Sequence, residues 1–334
     1  MADIVLAVGT SHSPMLNSAA EDHVRHAEID RGEATGWKRT LHDKDGRPAT
    51  YDELLAQADP AIAALIAGDA IQARVEQCRA ALARLRKTIA DAKLDALIVV
   101  GDDQHEQFFD DNMPAVLIYW GETIRNNTLQ LPGDAEEWWK RARAQYHEES
   151  APRDYPVAAP LGRHLIEALV GADFDISHAT RLPRDHGEGH AFGFVHRRLM
   201  GDAPIPIVPV VLNTYFPPNQ PTPRRCYRLG QAIRAAVEGW DRTARVGILA
   251  SGGLSHFLVD EELDRQVLDA CRTGDGEALM AIPAARLTSG SSEIRNWIAT
   301  AGAAEHLTTV WQEYVPCYRS AAGTGCGMAF AVWE

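Results

Sequence analysis

Apolar runs of strand length recur along this chain: IVLAV at 4–8, ALIVV at 96–100, AVLIYW at 115–120, PIVPVVL at 206–212, VGILA at 246–250 and GMAFAVW at 327–333. They are rich in Val and Ile and flanked by Gly, Asp, Asn or Pro, the residues that punctuate strands. Runs that stay apolar without polar alternation belong to strands buried on both faces. Helical patterns separate several of them. The clearest carries Val75, Cys78, Leu82, Leu85 and Ile89 on one stripe, with Arg and Lys outside. Others run near 223–239, 260–272 and 291–302. The expected fold is α/β, one domain over residues 1–334, with a central buried sheet covered by helices on both faces. Residues 17–72 are polar and irregular, and are expected to form a lid or oligomer-contact insertion with a short helix near 52–66.

Chemistry concentrates where the strands stop. The first run ends in GTSHSPML, with His12 between two serines and a proline. Gly, Ser and Pro allow a plain turn there, whereas the carboxyl end of a strand in an α/β sheet is where chemistry is usually placed. The run at 96–100 ends in GDDQHEQF, grouping Asp102, Asp103, His105 and Glu106. The segment near 174–178 leads into RLPRDHGEGHAFGFV, with Asp185, His186 and His190. VGILA ends in SGGLSHFLVDEELD, with His256, Glu261 and Glu262. Imidazole plus carboxylate is a donor set for Fe(II) or Zn(II). A further His is suited to proton transfer, because its free pKa lies near neutrality.

Composition narrows the alternatives. A formal net charge of -13 with no basic tract argues against nucleic acid as a partner. No stretch approaches the ~18 apolar residues that a membrane span needs. The start lacks the basic n-region of a secretion signal, and the five scattered cysteines show no C-x-x-C pair. A cytoplasmic protein with free thiols is expected.

Taken in order, GTSHSPML, GDDQHEQF, GHAFGFV, SGGLSHFLVDEELD and YVPCYRSAAGTGCGMAF resemble the type III extradiol ring-cleaving dioxygenases, the superfamily of the protocatechuate 4,5-dioxygenase catalytic subunit. The likeness covers nearly the whole chain and looks greatest to the gallate and 3-O-methylgallate dioxygenase branch. It implies a mixed central sheet, a homodimer, Fe(II) as cofactor, and O2 with a catecholic aromatic acid as substrates. By the same resemblance the iron ligands are His12, His105 and Glu262. His105 is assigned although an ungapped reading puts Gln104 at that place, with Asp103 as its hydrogen-bonding partner. The acid/base residue is His190 by its position before a helix, or His186 by its D-H-G context; His190 is preferred. His256 is read as a wall residue, and Tyr215 and Arg319 as candidates to meet a substrate carboxylate. His23, His42, His147 and His196 are read as solvated. A non-enzymatic relative of the same fold, or a Zn-dependent hydrolase, is the alternative.

Overall fold

The computed structural model describes residues 1–33 and 40–334. Residues 34–39, part of the 17–72 insertion, lie outside the described residues. Among the described residues one mixed sheet of nine strands organises the chain. The strands are β1 (Ala2–Thr10), β2 (Ala96–Asp102), β3 (Val116–Tyr119), β4 (Ser177–Ala179), β5 (Ile207–Leu212), β6 (Ala244–Ser251), β7 (His256–Leu258), β8 (Thr309–Tyr318) and β9 (Thr324–Trp333). Their spatial order is β7-β9-β1-β6-β2-β5-β3-β4, with β8 also paired to β9.

Neighbours β1, β6, β2 and β5 are parallel, so their carboxyl ends share one edge. Thr10 is in register with Ser251, and Asp102 with Leu212. The antiparallel strand β9 pairs with β1 through Phe330–Trp333 and with β7 through Thr324–Cys326. It thereby brings β7 to the same edge, just beyond the end of β1.

Helices cover both faces, as the unbroken apolar strands require. The helix α1 (Gly68–Asp91) lays Cys78, Leu82, Leu85 and Ile89 on the face that carries Leu97 and Val99. The opposite face, with Ile98 and Val100, is covered by α3 (Ala159–Gly171), α5 (Pro223–Glu238), α6 (Glu261–Thr273) and α7 (Ile294–Ala303). Each fully buried Leu or Ile in these layers contributes ~1.5–3 kcal/mol. At one point the helix layer nearly touches the sheet backbone. A Cβ on Gly9 would lie 2.4 Å from the Trp297 ring of α7, so glycine is required there. The indole Nε1 of Trp297 also donates to the carbonyl of Gly252 at 2.8 Å, tying α7 to the site edge.

Two further helices frame that edge: α2 (Glu137–Ala144) and the five-residue α4 (His190–Phe194). The helix expected near 52–66 is two pieces, Tyr51–Gln57 and Ile62–Leu65, because the Asp59-Pro60 step interrupts it. No helix of the described residues is long and apolar enough to cross a membrane.

Candidate active site

His12 follows β1 directly. Ser13 and Pro14 start a 3-10 turn, with the Ser13 hydroxyl accepting from the Met15 N–H. The Tyr146 hydroxyl and the Gln145 amide, just past α2, donate to the carbonyls of His12 and Ser13 at 2.6 and 2.9 Å. The turn is what aims the ring.

Hydrogen bonds also define the His12 tautomer. Ser251 Oγ donates its one proton to the Ala191 carbonyl at 2.7 Å, so at 3.0 Å it accepts from His12 Nδ1–H. Nε2 is then the bare nitrogen. It is buried, has no hydrogen bond, and sits 3.3 Å from Glu293 Oε2. Burial keeps His12 below the ordinary imidazole pKa against the pull of Glu293, so it is neutral. A lone pair facing a carboxylate across that distance is a gap that a cation would bridge.

Glu293 lies just before α7 and is the hub of the site. It accepts from the Gly253 N–H at 2.7 Å and from the Gln104 amide at 3.0 Å, and it lies 3.2 Å from His256 Nε2. Burial would raise its pKa, yet His256 and His12 hold it well below the ordinary carboxylate value. Burial, and then the charge of Glu293, push Asp102 up to about 8. Donor atoms of His12, Asp102, His190 and Glu293 all lie within 4.8 Å of one another, and all four residues are buried.

His190 begins α4 behind Gly189, whose φ of +81° is the left-handed conformation glycine tolerates. Both oxygens of Glu106 are taken by His190: one accepts its backbone N–H at 2.9 Å, the other its ring Nδ1 at 2.7 Å. The Nε2 of His190 is left facing the cluster, 3.9 Å from Asp102. Burial opposes the charged ring, but Glu106, Asp102 and Glu293 outweigh it and raise His190 to about 9. Burial likewise opposes the Glu106 carboxylate, but His190 overrides it and brings Glu106 down to about 2. These groups open onto a cavity of about 120 Å³, walled further by Trp139, Arg143, Tyr146, Tyr215, His256 and Arg319.

Several expected residues are elsewhere. His105 does not reach the cluster. Its φ of +59° turns the chain, and its ring stacks on Phe216 and Phe109, with centroids at 3.6 and 4.9 Å. Gln104 faces the cavity instead. Asp103 does not partner His105, since its oxygens accept the backbone N–H groups of Glu106, Gln107 and Phe108. Glu262 is exposed on the first turn of α6, and Glu293 stands where a carboxylate was expected. His186 is exposed, its Nδ1 on the Glu106 carbonyl. Arg319 lines the cavity but is saturated by Asp30, at 2.6 and 2.9 Å. His196 is not solvated: it is fully buried against Glu188 and stacked on Tyr155, and His23 is buried too. His12, His190, His256 and Tyr215 all line the cavity.

A direct check follows. Glu262→Gln should leave metal content unchanged and stability within about 0.5 kcal/mol. His105→Ala should also keep the metal while costing ~0.5–1.5 kcal/mol of aromatic packing. Metal analysis and urea unfolding read both, and metal loss in either would restore that residue to the ligand set.

Residues 59–326 match the family described as the catalytic LigB subunit of aromatic ring-opening dioxygenase. Gallate dioxygenase of Pseudomonas putida is 38% identical over 134 residues, 36% of this chain and 38% of that protein. The 2,3-dihydroxyphenylpropionate/2,3-dihydroxicinnamic acid 1,2-dioxygenase of Cupriavidus necator is 30% identical over 190 residues, 56% of this chain and 50% of that protein. The corresponding enzyme of Comamonas testosteroni is 26% identical over 176 residues, 53% and 47% respectively. The chain thus spans half or less of the length of these curated relatives.

Proposed function

This chain belongs to the family of catalytic LigB subunits of aromatic ring-opening dioxygenases, and from that premise we propose that it opens a catecholic aromatic acid with O2 by extradiol cleavage. The substrate is of the gallate, 3-O-methylgallate or protocatechuate type, and the metal is Fe(II). The observation that carries the reading is the bare Nε2 of His12 facing Glu293 inside a buried His/Asp/His/Glu cluster at the carboxyl edge of the sheet.

The donor set fits a divalent ion. His12 is neutral, as a ligand must be. Asp102 and Glu293 are two carboxylates too close to ionise together comfortably without a cation. His12, Asp102 and Glu293 would hold the ion, while Ser251 fixes the His12 ring from behind. When bound, Fe(II) supplies the Lewis acidity and one-electron chemistry that ring opening by O2 requires.

The remaining work falls to side chains. His190, its Nδ1–H held by Glu106, presents Nε2 to a substrate hydroxyl; with the charge of Asp102 and Glu293 offset by the ion they would hold, Nε2 would be free to take and return that proton. Tyr146 and Trp139 give the cavity an aromatic wall that favours a planar ring over water. Gln104 donates to Glu293 and Asp102, keeping the two carboxylates in place.

The test is anaerobic loading with Fe(II), Mn(II) or Zn(II), metal counting, then an oxygen-electrode assay with protocatechuate, gallate and 3-O-methylgallate. One ion per chain and stoichiometric O2 uptake on Fe(II) loading, with a ring-opened product, is the expected result. Bound Fe(II) without uptake on any of the three rings would overturn the reading, and hydrolytic turnover on Zn(II) would replace it.

A further inference from the structure

Resting on the ring-opening reading above, we propose that Arg143 is the specificity residue for a carboxylated ring, taking the substrate carboxylate at the outer wall of the cavity. Arg143 lies on the last turn of α2 and lines the cavity, half-buried. Among the described residues its side chain donates no hydrogen bond and pairs with no carboxylate. A guanidinium kept partly out of water ordinarily finds an anion. The other arginine of the wall shows the contrast, because Arg319 already holds Asp30 with two hydrogen bonds. Arg143 is the cation left to meet a ligand.

Its neighbours fix where that ligand would lie. The guanidinium carbon is 5.0 Å from the centre of the Tyr146 ring and 6.0 Å from that of Trp139, a restraint on the planar group. Tyr146 is bonded through its hydroxyl to the His12 carbonyl, and its ring centre is 5.8 Å from that of His190. Arg143 is thereby held one aromatic ring away from the inner cluster. Glu106 is the nearby carboxylate, yet both its oxygens are committed to His190. The inner end of the cavity carries the ionised Glu293, which repels an anion. A hydroxylated aromatic acid therefore enters with its carboxylate toward Arg143 and its hydroxyls toward His12 and His190. A planar fork suits a carboxylate in a way a lysine ammonium does not.

The experiment compares wild type, Arg143→Gln and Arg143→Lys. Binding of 3,4-dihydroxybenzoate and of catechol, the same ring without the carboxylate, is measured by anaerobic calorimetry on the Fe(II)-loaded protein. Benzoate is titrated against the metal-free protein. For Arg143→Gln the acid and benzoate should each bind about 10- to 100-fold more weakly, the loss of a charge-assisted hydrogen bond, with catechol unchanged. Arg143→Lys should recover only part. Equal weakening of acid and catechol, or no change in either, overturns the assignment and leaves ring opening intact. If benzoate binding depends on Arg143 but no hydroxylated ring consumes O2, the carboxylate site stands and the ring-opening reading falls.

Discussion

Glu293→Ala should leave the protein with no bound metal, no O2 uptake above background, and about 3–5 kcal/mol less stability. The three effects share one cause. Glu293 is 1% exposed and meets His12, His256, Gln104 and the Gly253 N–H. Removing it strands His256, whose ring Glu293 helps to hold charged against burial, with no counterion in a dry site. Removing one partner of a buried pair typically costs this amount, because the other charge stays desolvated. Glu293→Gln separates the parts, since it keeps the shape and an acceptor for the Gly253 N–H while losing the charge. It should fold with a smaller penalty and still lose the metal. Metal analysis, an oxygen electrode and urea unfolding give the three readings. Near-stoichiometric metal in Glu293→Gln would remove this residue from the ligand set.

That the cluster's central carboxylate is Glu293 was not legible in the sequence, and the reason is physical. The strands were legible because a core strand must be apolar throughout. IVLAV, ALIVV and VGILA fall inside β1, β2 and β6, and PIVPVVL covers β5 from Ile207 on. The α1 stripe was legible for the same reason, in helical period. Strand β8 was missed because TVWQEYVPCY mixes polar residues into a half-covered strand, and α3 because APLGRHLIEALVG opens with Pro and Gly. At the site, His12 could be read because the strand, the Gly and the Pro announce a fixed turn. Glu293 stands in GSSEIRNW with no histidine nearby in sequence, and reaches the cluster only because α7 packs across β1 and β6. His105 misled by one residue. What decides between Gln104 and His105 is a single positive φ, which histidine adopts more readily than most residues and which leaves no trace in the sequence pattern. Arg143 was hidden too, since nothing in EWWKRARA tells which of its basic residues lacks a partner.

His190→Phe should lower turnover by about 10²–10⁴, roughly 3–5 kcal/mol of barrier, while iron content stays near normal. Phenylalanine keeps an aromatic ring beside His12 and Tyr146, whose ring centres lie 4.6 and 5.8 Å from that of His190. It removes the Nε2 that exchanges a proton with the ring hydroxyl, together with the Nδ1 that Glu106 holds. Glu106→Gln is the companion variant. The amide oxygen can still accept from His190, so orientation persists in part, and a loss nearer 10-fold is expected, the low end of what altering a hydrogen-bonded support costs. His186→Ala should change neither turnover nor iron content, because its exposed ring meets only the Glu106 carbonyl. The order His190→Phe, then Glu106→Gln, then His186→Ala tests the proton path as a path. If iron is lost with His190→Phe, the nitrogen within 4.8 Å of His12 and Glu293 is a ligand rather than an acid/base. The proton would then have to pass through another group at the cluster, with His256 the nearest imidazole to Glu293 outside it.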